Sequence, residues 1–152
     1  MTEKRFAVTA VILATLIMIA YSYISAYLYS ETTEQWSYFA LTNSLWFVIP
    51  FTMAWLPYVA VRSAAVAGST LTALGLFIFF AFVSNSMDDP KGGGAVWLIY
   101  IFWMAGAFIT ALFFAIACPD FFTRTAKRAF MFGGVFTFVA GFVTGFLVSR
   151  LS

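Results

Sequence analysis

Long apolar stretches separated by short polar interruptions make up almost the whole chain. A helix needs about 20 mainly apolar residues, at ~1.5 Å per residue, to cross a hydrocarbon core ~30 Å thick. The pattern therefore predicts an all-α polytopic transmembrane bundle. Its five predicted spans lie at about 6–29, 39–59, 63–84, 95–117 and 129–149.

The apolar stretch from Phe39 to Ser84 is the part of the pattern that allows more than one interpretation. As a single helix it would be about 70 Å long, more than twice the hydrocarbon thickness. Pro57 disrupts the helical hydrogen-bond ladder, and Arg62 at a bilayer centre would cost at least ~2.5–3.5 kcal/mol. We therefore place a turn between Pro57 and Ser63, which gives five spans; four spans, or a broken re-entrant segment here, are the alternatives.

The charges between the spans predict the orientation, because Lys and Arg favour the cytoplasmic side of short loops. With five spans, basic and acidic groups alternate between the two sides, whereas four spans would put the most basic loop outside. We therefore expect a cytoplasmic N-terminus. The groups predicted to be inside are Lys4, Arg5, Arg62, Arg124, Lys127 and Arg128, and the outer loops contain Glu31, Glu34, Asp88 and Asp89.

Composition strengthens the membrane interpretation. Hydrophobic residues make up 63% of the chain and charged residues 9%, against about 45–50% and 25% in soluble domains. The spans leave no room for a soluble domain, so we expect one integral membrane domain over 1–152. A net charge of +2, with basic residues only in short clusters, argues against a nucleic-acid partner. The compact chain has no recognisable targeting segment, so we expect a bacterial cytoplasmic (inner) membrane.

The residue types limit the chemistry that the chain can support. With one cysteine and no histidine, it lacks an internal disulfide, multi-cysteine metal clusters and the usual haem ligands. It also has no Ser/His/Asp set, and the predicted spans contain no ionisable acid or base. We therefore expect no enzymatic activity, no catalytic or metal site and no cofactor.

Small residues at helical spacing form a stripe along the last span. In lipid, such stripes let helices approach closely and associate by van der Waals contact. The stripe is either a seam inside the bundle or a face that binds a partner chain. Its members are Gly134, Thr137, Gly141, Thr144 and Gly145.

Asn43 is the most polar side chain inside the predicted spans, and Trp46 and Pro50 follow it on the second span. A buried amide usually forms a hydrogen bond between helices. The functional alternative is a small-solute pocket opened by a kink at Pro50, formed by Asn43, Trp46 and Pro50.

A basic cluster precedes the last span, at Arg124, Lys127 and Arg128. Basic side chains near a membrane surface gain roughly 1 kcal/mol each from anionic headgroups. We expect this cluster to anchor the chain to lipid headgroups, with docking of a partner as the alternative.

Two classes of function agree with these features. The favoured expectation is a protein that works by binding other membrane proteins, as an accessory or assembly subunit or as an immunity-type protein. The alternative is a small oligomeric carrier or channel for a neutral or hydrophobic solute. The expected partners are the lipid bilayer and either another membrane protein or a second copy of this chain.

Overall fold

The computed structural model describes residues 2–29, 33–87, 90–117 and 123–151, and these are almost entirely helical. The apolar runs of the sequence form long helices, and the second and fourth helices also include the polar residues just before their apolar runs. A short 3₁₀ segment, Leu56–Ala60, continues the second helix. The helices are α1 (Glu3–Tyr29), α2 (Thr33–Trp55), α3 (Ser63–Asn85), α4 (Pro90–Ala117) and α5 (Ala126–Leu151).

Within these described residues, five helices are long and apolar enough to cross a membrane. This confirms the predicted all-α transmembrane bundle, and it favours five spans over four. The long apolar stretch divides as expected: α2 and its 3₁₀ extension end at Ala60, and α3 begins at Ser63. Pro57 lies in the 3₁₀ segment, where its missing N–H leaves an α-helical hydrogen bond unmade.

Helix α3 is the centre of the bundle. Within its span 56% of the residues are buried, against 28% in each of the other candidate spans, and it contacts all four other helices. Every residue from Ala64 to Thr70 is buried. This segment is rich in alanine, glycine and serine, and such small side chains let neighbouring helices surround it closely.

Glycines make the closest approaches between helices. A Cβ added to Gly68 of α3 would collide with the backbone carbonyl of Phe130 in α5, and one added to Gly133 of α5 would collide with the backbone of Ala65 in α3. A Cβ on Gly106 of α4 would collide with the side chain of Thr144. Glycine is therefore required where α5 lies against α3 and α4.

We expect Gly68→Ala to lower the free energy of unfolding by about 1–3 kcal/mol, because overpacking a tight contact forces the backbones apart. Gly75→Ala in the same helix is the matched control, since nothing lies within 4 Å of a Cβ added there. The free energy of unfolding of both variants is measured by SDS-driven unfolding of the purified proteins in mixed micelles, followed by tryptophan fluorescence. Equal stability of the two variants would contradict the packing described for Gly68.

Candidate functional site

A cavity of about 590 Å³ lies between α1, α2, α4 and the C-terminal end of α3. It is at the end of the bundle where α3 ends and α4 begins, so residues near those two helix ends form part of its wall. Its lining residues are Tyr21, Ser25, Asn43, Trp46, Phe47, Ser84, Asn85, Met87, Gly93, Gly94, Trp97, Leu98, Tyr100 and Ile101.

Aromatic rings form the inner wall of this cavity. The ring centroids of Phe47 and Trp97 are 4.4 Å apart, and Trp97 meets Tyr100 edge-on at 5.7 Å. Phe77 lies behind them, 5.2 Å from Phe47 and 6.0 Å from Tyr100. We call Phe47, Phe77 and Tyr100 the aromatic floor. These three side chains are almost fully buried and close the cavity toward the centre of the bundle.

The Asn43 carboxamide faces this cavity without a partner among the residues that the structure describes. Its side chain lines the cavity and is partly exposed, and no hydrogen bond joins it to another of the described residues. The bond between helices that is the usual role of a buried amide is therefore not made here. An unpaired carboxamide offers two N–H donors and one carbonyl acceptor to a ligand.

Weak polar contacts surround the rest of the cavity. The Tyr21 hydroxyl donates to Asn85 Oδ1 at 3.4 Å, and the Ser84 hydroxyl donates to the Gly93 carbonyl oxygen at 3.3 Å. Both distances are long for O–H donors, whose hydrogen bonds are usually ~2.5–3.0 Å. Both contacts are therefore weak hydrogen bonds.

Two of the three side chains predicted to form a solute pocket line this cavity. Asn43 and Trp46 are among the lining residues, whereas Pro50 is buried deeper in α2 and is not. Sequence reasoning missed the contributions of α1 and α4, particularly Trp97 and Tyr100. Trp97 and Tyr100 are three residues apart, so the sequence indicates that they share one face of a helix. It does not indicate which neighbouring helix that face meets.

The opposite end of the bundle is held by an ion pair. The Arg62 Nε and Nη2 atoms donate to the two carboxylate oxygens of Glu3 at 3.0 and 3.2 Å, a bidentate geometry that strengthens such pairs. Arg62 Nη1 also donates to the Thr123 carbonyl oxygen at 2.6 Å. The Ala64 N–H donates to Glu3 Oε1 at 2.8 Å. We call Glu3, Arg62 and Thr123 the clamp.

The clamp joins the start of α1, the α2–α3 turn and the α4–α5 connection, which therefore lie at one end. The hydrogen bonds to Glu3 raise the pKa of Arg62 above its usual value, so the guanidinium stays charged. The predicted lipid anchors Arg124, Lys127 and Arg128 belong to the same end and are exposed. Lipid binding by these residues stays a prediction.

A cluster of buried hydroxyls lies between the aromatic floor and the clamp. The Ser69 hydroxyl donates to the Ala54 carbonyl oxygen at 2.9 Å. Thr137 Oγ1 lies 2.7 Å from both Ser69 Oγ and the Gly133 carbonyl oxygen. The buried Tyr58 hydroxyl lies beside Thr137 without completing a hydrogen bond. We call Tyr58, Ser69 and Thr137 the hydroxyl cluster.

A buried polar group without a hydrogen-bond partner lowers the stability of the fold by about 1–3 kcal/mol. The Tyr58 hydroxyl has that status, and so do Nε1 of Trp55, Oγ1 of Thr70 and Nε1 of Trp103. Tyr58 is the one of these groups that belongs to the hydroxyl cluster.

The small-residue stripe of α5 faces the interior of this chain. Added Cβ atoms on Gly141 and Gly145 would meet the Trp103 ring, and one on Gly134 would lie 3.0 Å from Thr72 Oγ1. Thr137 belongs to the hydroxyl cluster, and Thr144 packs on Gly106. The whole stripe, Gly134, Thr137, Gly141, Thr144 and Gly145, is therefore covered by α3 and α4.

The sequence is similar to Uncharacterized protein PM1189 of Pasteurella multocida (strain Pm70). The two are 47% identical over 156 residues, which cover 100% of each chain. The chain belongs to the family of that protein. No family model matches the chain, and no solved structure matches it. The similarity extends over the whole length and so includes every helix that forms the cavity and the clamp in this chain.

We expect Glu3→Gln and Arg62→Gln each to lower the apparent melting temperature of the detergent-solubilised protein. The double variant should lose little more than either single variant, because the two side chains act as one pair. Since each side chain is 32% exposed, added salt should reduce the difference from the unmodified protein. Lys4→Gln, an exposed neighbour, is the control for loss of charge. Additive losses in the double variant would show that the two residues stabilise the protein independently.

Proposed function

We propose that this protein binds a small neutral solute with a flat apolar body and one hydrogen-bonding group. The observation that supports this proposal is the unpartnered Asn43 carboxamide, which faces an aromatic wall in a cavity of about 590 Å³. Small-molecule sites are typically ~300–1,000 Å³, mostly apolar, with a few polar groups that set the orientation of the ligand. The cavity has these properties.

The charge of the lining argues for a neutral solute. None of the described lining residues is an Asp, Glu, Lys or Arg. A charged ligand in such a site would lose its hydration without gaining a counter-ion, which is strongly unfavourable. A carbonyl, hydroxyl or ring N–H on the solute would instead pair with the Asn43 amide.

The rings of the lining argue for a flat solute. Trp46, Phe47, Trp97 and Tyr100 offer edges and faces to a planar molecule, and aromatic pairs add about 0.5–1.5 kcal/mol to area burial. A flexible aliphatic chain would gain the free energy of burying its apolar surface, but not the additional contribution of aromatic pairing. Aromatic and quinone-like compounds are therefore the favoured class.

The distribution of charge supports entry of the solute from outside the cytoplasm. The clamp end carries Lys4, Arg5 and the basic cluster from Arg124 to Arg128, and basic residues favour the cytoplasmic side. The cavity is at the other end of the bundle. With a relative in Pasteurella multocida, we propose a bacterial inner-membrane location with the cavity facing outward and the N-terminus in the cytoplasm.

The expectation of a protein that binds other membrane proteins rests on spans without charge that offer several small-residue faces, and the stripe of α5 is the face proposed to bind a partner. That stripe is covered within the chain by Trp103, Thr72 and Gly106, so it gives no support to capture of a partner. Binding of another membrane protein, or of a second copy, through a different surface stays a prediction. We propose a binding role rather than a catalytic one for the cavity.

We expect the protein in nanodiscs to bind radiolabelled indole, a neutral flat molecule with one N–H donor, above the level of empty nanodiscs. Asn43→Leu should weaken binding roughly three- to tenfold, because one neutral hydrogen bond contributes about 0.5–1.5 kcal/mol. Thr42→Leu is the matched control, since Thr42 neighbours Asn43 in α2, does not line the cavity, and donates to the Tyr38 carbonyl oxygen. Equilibrium dialysis measures all three.

Equal affinity of Asn43→Leu and the unmodified protein would remove Asn43 from the site. Binding no greater than in empty nanodiscs, together with a stoichiometric foreign membrane protein in the native-membrane preparation, would favour the partner-binding class.

A further inference from the structure

The cavity and the hydroxyl cluster lie one after the other along the bundle. On α2, Asn43 lines the cavity, Phe47 belongs to the aromatic floor, and Ala54 accepts a hydrogen bond from the cluster. Polar groups therefore occur on both sides of the floor. Packing alone would be served equally well by apolar side chains below it.

The hydroxyl cluster has unused hydrogen-bonding capacity. The Tyr58 side chain is fully buried and its hydroxyl has no partner in the structure. The neighbouring Nε1 of Trp55 is also unpaired. Thr137 and Ser69 direct their hydroxyl protons to each other and to backbone carbonyl groups. Their oxygens keep free acceptor capacity, but neither accepts a hydrogen bond from Tyr58 or Trp55 in this structure. A molecule with a carbonyl or hydroxyl group would do so.

The clamp lies between the hydroxyl cluster and the nearer end of the bundle. Arg62 immediately precedes α3 and Ser69 follows seven residues later, about 10 Å along the helix. Ala64 and Ala65 between them are buried, and the backbone N–H of Ala64 is itself bonded to Glu3. Loss of the Glu3–Arg62 contacts would free α1 and the α4–α5 connection from the start of α3.

The 3₁₀ segment Leu56–Ala60 carries Tyr58 and follows α2 without a long loop. Pro50 lies one to two turns earlier in α2, where the ring removes one helical hydrogen bond. Breaks of this kind in a transmembrane helix are frequent at solute sites of carriers, because they let one half of a helix move relative to the other. Both breaks lie along the chain between Phe47 of the aromatic floor and Arg62 of the clamp.

We infer that the hydroxyl cluster is a second binding station for the same neutral solute, and that the clamp is the closed gate of that station. This inference rests on the proposed function and makes the protein a carrier rather than a receptor. In the state described here the outer cavity is open and the inner station is closed. The hydrogen-bonding group of the solute would pair with the Tyr58 hydroxyl after passing the aromatic floor.

Thiol labelling from the clamp side tests the gate. In a chain with Cys118→Ala, Ser69→Cys places a small thiol in the cluster, and oriented proteoliposomes are treated with a membrane-impermeant maleimide. Labelling should be slow with the clamp intact and roughly tenfold or more faster with Glu3→Ala, because loss of the clamp shifts a two-state population. Lys4→Ala is the matched control and should stay slow.

Three further measurements accompany this test. Thr125→Cys, an exposed position at the clamp end, should label at the same rate in every background and so reports orientation and reagent access. A monodisperse size-exclusion profile shows that each variant is folded. Unlabelled indole should slow the labelling of Ser69→Cys in the Glu3→Ala chain if the cluster binds the solute.

Each outcome bears on the inference. Slow labelling of Ser69→Cys with Glu3→Ala would overturn the gate, and fast labelling that indole does not slow would overturn the station. Neither result depends on Asn43, so failure of this inference is separate from failure of indole binding by the unmodified chain, which tests the proposed function.

Discussion

The backbone of α3 lies directly against the backbone of α5, where Gly68 meets Phe130 and Gly133 meets Ala65. In lipid the hydrophobic effect contributes little to the association of helices. Stability therefore comes from van der Waals contact, which is strongest where small side chains let two helices approach closely. Because these positions lack a Cβ, α3 is enclosed on all sides and becomes the axis of the bundle. The placement of every other helix follows from that position.

The same packing separates the bundle into a rigid and a looser part. Helices α3 and α5 are joined through the glycine contacts and through the Thr137–Ser69 pair. Around the cavity, by contrast, the helices meet through aromatic rings and long hydrogen bonds such as Tyr21 to Asn85. Large rings hold helices further apart than glycines do, and the space left between the rings forms the cavity.

Polar groups in this protein occur both at the cavity and inside the close-packed part of the bundle. Asn43 lies at the cavity, the hydroxyl cluster lies below the aromatic floor, and the Glu3–Arg62 pair closes the far end. A charged pair is tolerated at that end because each partner remains 32% exposed. Placed in the hydrocarbon, the same pair would carry the full desolvation cost.

The sequence by itself determined that the chain is a membrane bundle of five helices, including the division at Arg62, because segment length, proline and charge act locally and need no neighbour. It also marked Asn43 as exceptional and the stripe from Gly134 to Gly145 as a close-packing face. Only the tertiary structure decided which helix covers that stripe, that the floor includes Phe77 and Tyr100, and that Glu3, Arg62 and Thr123 meet. Those contacts join residues far apart in the chain, and in a lipid-embedded helix the hydrophobic pattern is similar on all faces. The pattern therefore carries little information about which face meets which neighbour.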